Sequence, residues 1–298
     1  MENYISAYEY ENNVNPCLTS IPVKHKNIDE CIKEITFIDN SEIYNVDFKS
    51  TTPNLLASFI KLRENQELIF EGSQDYNASS HFFYIINGNV EFIVNNEKYT
   101  LECGDIIITP LFNHLKMENK STSEVQVYYI NDSPLINYLG SKPMKKNFET
   151  AIYSKDFLAK NLLSLSNINN NRKGILLSNV DTEKIGTNTI TPVLWALYNE
   201  LPPNTIQKPH KHNSVALDLC ISCSDSDNVY TLVGDTIDEN GNIINPMKIN
   251  WKQGEMFITP PGLWHSHNNT GNTYAYILPI QDAGLLLYQR ILGIKLYH

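Results

Sequence analysis

The stretch GEMFITPPGLWHSHNN, residues 254–269, arranges two glycines, two adjacent prolines and two histidines around one short apolar run. Glycine reaches backbone conformations closed to other residues and proline fixes φ, so a strand should end here in a tight turn and a second strand begin. Side chains alternate faces along a strand, so His265 and His267 share one. Upstream, QKPHKHNSVALDL places His210 and His212 together on one side while Lys211 points away. Convergent imidazoles on two different strands are the raw material of a metal site.

The stretch has a weaker twin. GDIIITP at 104–110 matches it at a shift of 150 residues, from Gly104 to Gly254 and from Pro110 to Pro260. Asp132 and Asp282, Leu135 and Leu285, and Tyr138 and Tyr288 keep the same shift. TPNLLASFIKLREN from Thr52 and TPVLWALYNELPPN from Thr191 match at a shift of 139, so the second copy carries an insertion, best placed in the hairpin-like VGDTIDENGNIINP. Each copy is a series of short runs rich in Ile, Val, Tyr and Phe between turn residues, the pattern of all-β sandwiches and barrels. Helical signals are few: SKDFLAKNLLSLS at 154–166, with Ser154 as cap, and DAGLLLYQRILG near the C-terminus, after Asp282 and before Gly293.

The expected architecture is therefore two tandem β-barrels with a few peripheral helices. Residues 1–50 form an N-terminal arm, 51–145 the first barrel, 146–185 a helical linker with an Asn-rich exposed stretch, and 186–298 the second barrel with its C-terminal helix. A chain of 298 residues that is 42% hydrophobic can bury such cores. Its formal charge of −10, without a dense Lys/Arg run, argues against nucleic acid and for a small-molecule partner. With no long apolar stretch and no signal-like start, no membrane partner and a cytoplasmic location are expected.

The order G, five residues, P, x, G, two residues, H, three residues, N, preceded by HxH, resembles the two metal-binding motifs of the cupin superfamily. The resemblance implies jelly-roll barrels in which His210, His212 and His265 hold a divalent metal. Cupins usually add a Glu four or five positions beyond HxH, but Ala216 and Leu217 stand there, so a three-His site is expected. Three neutral ligands leave coordination positions open, as catalysis requires. In the first copy the shifts of 139 and 150 place Glu71 and Ser73 at the positions of His210 and His212, and Leu115 and Met117 at those of His265 and His267. His81 and His114 remain there without an HxH, so the first barrel is expected to be a metal-free scaffold.

The double barrel, TPVLWALYNELPPNTIQKPHKHNSVAL, ITPPGLWHSHNN and NDSPLINYLG together are similar to bicupin ring-cleaving dioxygenases of the gentisate and 1-hydroxy-2-naphthoate type, over most of the span from Thr52 to Gly293. That resemblance implies Fe(II), with Mn, Ni or Zn as other occupants of the same imidazoles, a hydroxylated aromatic substrate and O2. The chain departs from the pattern twice. The metal motif lies in the second barrel, and Asp218 stands where the family carries an Arg for the substrate carboxylate. An acid there repels a carboxylate, which argues against gentisate itself and for a substrate with an amine or hydroxyl facing Asp218. The alternative is that Asp218 pairs with Lys211 or Arg290.

His267 is a candidate acid, base or substrate hydrogen-bond donor, against a rim histidine bonded to backbone. Trp195, Tyr198 and Trp264 read as packing. Cys220 and Cys223 form a lone CxxC among five cysteines; the spacing suits zinc or redox chemistry, but without a second CxxC or a helix start it reads as two plain strand cysteines. Expected overall is a mononuclear metal oxygenase acting on a hydroxylated or amino-substituted aromatic, in a homo-oligomer of two or more chains. A cupin lyase, isomerase or oxidase, which O2 uptake would separate, and a non-catalytic ligand-binding barrel, which captures ligand without product, are the alternatives.

Overall fold

The computed structural model describes residues 5–165 and 171–297, so the Asn-rich run at 166–170 lies outside the described residues. Among the described residues every strand pairing is antiparallel, and the strands fall into four sheets, two per repeat. In the first repeat a six-stranded sheet runs Ala151–Tyr153, Ile106–Pro110, Ser80–Asn87, Val125–Asn131, Leu56–Leu62, Ile35–Phe37, and faces a four-stranded sheet running Glu67–Ile69, Leu115–Glu118, Asn89–Val94, Glu97–Glu102. The second repeat has the same plan. Its six strands run His25–Asn27, Glu255–Thr259, Ala216–Ser222, Ala275–Gln281, Trp195–Leu201, Lys173–Leu177, and face a sheet running Met247–Asn250, Val229–Gly234, Trp264–Asn269, His210–His212, Ile294–Leu296.

Each sheet pair encloses a core of its own. The interior of the first holds Phe70, Phe83, Phe92, Met117 and Tyr129; the interior of the second holds Cys220, Val233, Trp251, Phe257 and Ile277. Alternate residues of the six-stranded sheets point outward, yet they too are apolar, because the two large sheets bury them against each other. Ala57, Phe82, Ile108 and Tyr128 from one sheet and Leu217, Leu219, Ile258 and Ile280 from the other form one continuous cluster. Antiparallel strands buried on both faces lose the polar alternation of a half-exposed sheet, which is why DIIITP reads as an unbroken apolar run. The segments preceding and linking the repeats supply edge strands: His25–Asn27 pairs with Glu255–Phe257 of the second barrel, and Ile35–Phe37 with Ser58–Ile60 of the first.

The turn chemistry is as the sequence demands. Gly254 has φ +74° and Gly262 φ +81°, in the left-handed region. The Gly262 amide donates to the His212 carbonyl at 2.7 Å, tying the turn to the HxH strand. The insertion in the second repeat is a turn in which the Asp238 carboxylate accepts from the amides of Asn240 and Asn242, with Ile237 bridged to Ile243. Ser154 caps the helix Lys155–Leu163 by accepting from the Phe157 amide at 3.2 Å. The C-terminal helix is shorter than the apolar stripe suggests, Ala283–Tyr288, and the chain turns through Arg290, at φ +63°, into the strand Ile294–Leu296 that pairs with His210–His212. Asp282 does not cap that helix. Its buried carboxylate accepts from the Val215 amide at 2.9 Å and from Asn54 of the first barrel at 2.7 Å.

Candidate metal centre

His210 lies directly opposite His265 in the antiparallel ladder, so two ligands face each other by register alone. His212 follows one pleat along on the same face. Ring centroids are 4.1 Å apart for His210 and His265, 4.8 Å for His212 and His265, and 5.8 Å for His210 and His212. One nitrogen from each lies within 4.8 Å of the others, and among the described residues these three form the one such group of His, Cys, Asp or Glu. Two ligands at roughly 2.1 Å from one ion lie at most about 4.2 Å apart, so small ring rotations close the trio on a single ion.

Hydrogen bonds set which nitrogen is free. A carbonyl only accepts, so His212 Nδ1–H donates to Ser214 O at 2.9 Å, and His265 Nδ1–H to Leu263 O at 3.1 Å. Their Nε2 lone pairs are thereby exposed to the centre, and His212 Nε2 is buried without any partner. An orphaned buried acceptor is costly unless something occupies it, and a divalent ion fits this donor set. Burial drives His210 and His265 well below the ordinary imidazole range and also lowers His212, so all three are neutral, as ligands must be.

His267 is held differently. The indole of buried Trp251 donates from Nε1 to Thr231 Oγ1 at 2.8 Å, and that hydroxyl lies 2.8 Å from His267 Nδ1. The arrangement that satisfies every atom sends the hydroxyl hydrogen to Nδ1, leaving His267 with Nε2–H. Burial pushes its pKa down to about 3. His267 is thus a neutral, oriented donor rather than a general base.

Asp218 is buried on the strand Ala216–Ser222 and lines the cavity next to the trio. Its partner is neither Lys211 nor Arg290: Thr259 Oγ1 donates to Asp218 Oδ2 at 2.6 Å, Lys211 Nζ lies over the Trp264 ring, and Arg290 lies over Tyr288. Burial raises the Asp218 carboxyl to about 7, so near neutrality it is a proton-bearing acid as often as an anion.

The charge that sequence reading failed to place here is Arg172. It enters the cavity from the residue before the edge strand Lys173–Leu177, which pairs with Trp195–Leu201. Its Nη2 donates to the Lys208 carbonyl and lies 3.2 Å from His210 Nδ1, while Nε and Nη1 are buried with no partner. Neighbouring Lys173 is engaged with Glu200 at 2.8 Å, so Arg172 is the free cation of the pair. A guanidinium only donates, so Arg172 engages a lone pair on His210 that an ion would otherwise take. The sequence signal for it was slight: an Arg-Lys pair opening the run GILL after an Asn-rich run. With Gln207, Gln281 and Pro279 these groups enclose a cavity of about 170 Å³. Trp195 and Tyr198 are not among its walls, and Trp264 is buried on the opposite face under Lys211 and Lys295.

The first barrel holds no comparable group. The Phe70 amide donates to Leu115 O, which sets Phe70, not Glu71, at the register of His210, and Gly72, not Ser73, at that of His212. The difference of one residue is a bulge at Gln207–Pro209, between the segment Thr205–Ile206 and His210. Leu115 and Met117 stand where expected. His81 is a packed core group, accepting from Tyr129 OH at 2.8 Å and lying 4.4 Å from the Phe112 ring.

No family model matches this chain, and no curated protein matches it. Solved structures do. Salicylate 1,2-dioxygenase from Pseudoaminobacter salicylatoxidans, as adducts with gentisate, superposes with a TM-score of 0.72 at 11% identity, over 95% of this chain and 87% of that one. A point mutant of the same enzyme gives 0.73 at 12% identity, over 99% and 94%. Vicilin from Corylus avellana (hazelnut) gives 0.53 at 10% identity, over 93% and 85%. A dioxygenase and a vicilin on one frame show that the frame does not select the activity. What the likeness establishes is architecture: the chain has the two barrels that the tandem repeat predicts, with the cupin fold that the motif resemblance implies.

Proposed function

We propose that the second barrel is the active site of a mononuclear metal dioxygenase acting on a small hydroxylated aromatic acid, with O2 as co-substrate and iron as the resident metal. One observation carries the reading: three neutral imidazoles converge beside a buried guanidinium with two unpaired donors, in a cavity sized for one ring. A cavity of ~150 Å³ accommodates benzene, so about 170 Å³ suits a single substituted ring. The solved salicylate 1,2-dioxygenase that superposes on the chain supports the same chemistry.

Arg172 alters the substrate expected from sequence. Asp218 alone disfavours a carboxylate, but Arg172 Nε and Nη1 are unpartnered cationic donors for one, and Asp218 at a pKa of about 7 is not a fixed opposing charge. The substrate is accordingly an acid whose carboxylate meets Arg172 and whose hydroxyl or amino group meets Asp218. His267 donates from Nε2 to a substrate oxygen, and Asp218 takes up or returns the proton of the ring substituent. Bound at His210, His212 and His265, the metal supplies one-electron chemistry towards O2 that no side chain can provide. The five free cysteines suit a reducing cytoplasm, and the chain is expected to work as a homo-oligomer.

The test is O2 uptake by Fe(II)-reconstituted protein against hydroxybenzoates, aminobenzoates, catechols and aminophenols. Uptake with a ring-opened product, lost together with stoichiometric metal in His212→Ala, is the expected result. Metal-replete protein that binds these acids without consuming O2 would overturn the reading in favour of a binding barrel.

A further inference from the structure

The CxxC of the second repeat lies outside the metal site, and its geometry is not that of two ordinary strand cysteines. Residues three apart on a regular strand point to opposite faces. The strand Ala216–Ser222 is irregular at this point: Cys220 pairs with Ile277 and Ser222 with the adjacent Tyr276, so Ile221 is an extra residue. A bulge inverts the alternation beyond it, and Cys223 returns to the side of Cys220. Both pack in the cluster at the floor of the second barrel, with Trp251, Phe257 and Ile277.

Their surroundings differ. Cys220 is fully buried, whereas Cys223 is partly exposed and lines an open cleft between the barrels with Ile86, Gln126 and Lys252. The neighbouring Cys220 thiol lowers that of Cys223 to about 7, and Cys220 is correspondingly pushed well up. The bulge is not built for the cysteines. The first barrel has it too, at Ile86, flanked by Ile85 and Gly88 where the second has Cys220 and Cys223. A frame common to both copies thus brings two positions together, and only the second copy places thiols there.

We propose that Cys223 and Cys220 are an oxidation site that takes a peroxide, with Cys223 the attacking sulfur and Cys220 the resolving one. The Cys223 thiolate attacks one peroxide oxygen, the O–O bond breaks, and the departing oxygen takes a proton and leaves as water, or as an alcohol from an alkyl peroxide. Cys223 is then a sulfenic acid. The Cys220 sulfur attacks Cys223 Sγ as its own proton leaves, the S–O bond breaks, and a water departs. Two thiols have given up two electrons and two protons, and the peroxide has received them.

The full-length chain with Cys17 and Cys103, both exposed, replaced by Ser serves as parent. It is reduced, treated with one equivalent of hydrogen peroxide, denatured, alkylated with N-ethylmaleimide and weighed. Before peroxide all three remaining thiols should be alkylated; afterwards Cys31 alone, with dithiothreitol restoring the other two. Cys220→Ser should retain a dimedone-trappable sulfenic acid at Cys223, and Cys223→Ser should show neither trapping nor protection. Full alkylation of the parent after peroxide would overturn the proposal. So would protection that survives in Cys223→Ser. The parent measurement needs no substitution in the core and stands even where Cys220→Ser fails to fold.

Discussion

The two barrels share strand order, turn glycines and buried aspartates, yet their interiors are opposites. Where the second has His210, Asp218 and Thr231, the first has Phe70, Phe83 and Phe92 at the same registers. Phe70 meets Phe83 and Tyr129 edge-on at 5.7 and 5.4 Å, and Phe83 stacks on Tyr129 at 4.4 Å. A small barrel must be filled, either by its own side chains or by a ligand. The first is filled by aromatic rings and the second leaves room for a foreign one. The strand frame is held by the turns and by the sheet-to-sheet cluster, so the interior residues are free to serve as core or as site.

The sharpest way to break this contrast is to truncate the equivalent positions Phe83 and Asp218. Phe83→Ala removes a fully buried ring and should cost about 3–5 kcal/mol, read as a lower urea midpoint. Asp218→Ala faces an existing cavity but strands the Thr259 hydroxyl without its acceptor, and should cost only about 1–3 kcal/mol. Equal losses would show that the second interior is packed as core after all.

A second test separates the two roles of Arg172. Arg172→Ala should weaken binding of a hydroxybenzoate to metal-loaded protein by about 10- to 100-fold, the worth of a charge-assisted pair. The same substitution should leave metal affinity unchanged or higher, because the guanidinium no longer competes for His210. Calorimetry with each ligand in turn checks both. A fall in metal affinity would mean that Arg172 supports the trio instead of opposing it.

The smallest effect concerns protons. In the unfolded chain Asp218 ionises near ~3.9, but in the fold burial keeps its proton until about 7. Between those values the unfolded chain has released a proton that the folded chain retains, so stability falls as pH rises from about 4 to 7. In metal-free protein Asp218→Asn should flatten that limb by on the order of 1 kcal/mol per pH unit. Phe83→Asn, at the equivalent position, should leave the slope unaltered. Denaturant melts at intervals of half a pH unit measure it.

Much of this was legible in the residue string. The glycine and proline punctuation at 254–262, the parity of His210 with His212 and the shift of 150 together define two barrels and one trio of convergent imidazoles, because period-two alternation and turn chemistry are local properties. Pairing properties were not legible. The bulge ahead of His210 displaces the repeat by one residue, so Phe70 and not Glu71 answers His210. Arg172 lies 38 positions before His210, and only the pairing of Lys173–Leu177 with Trp195–Leu201 brings it into the cavity. Thr259 as the partner of Asp218 likewise depends on which strands are neighbours. The same limit hid the relation of Cys220 to Cys223, since an irregularity in register leaves no mark on composition.

The strand His25–Asn27 completes the sheet of the second barrel by pairing with Glu255–Phe257. During synthesis it leaves the ribosome well before its partner, which follows only after the whole first barrel and most of the second. At ~5–20 residues per second the wait is about 10 to 45 seconds. Ile35–Phe37, only a few positions later, finds its place as soon as Ser58–Ile60 emerges. One of these two strands is therefore anchored early while its neighbour stays unclaimed, and the barrel of the three histidines becomes whole only after its late strand has emerged.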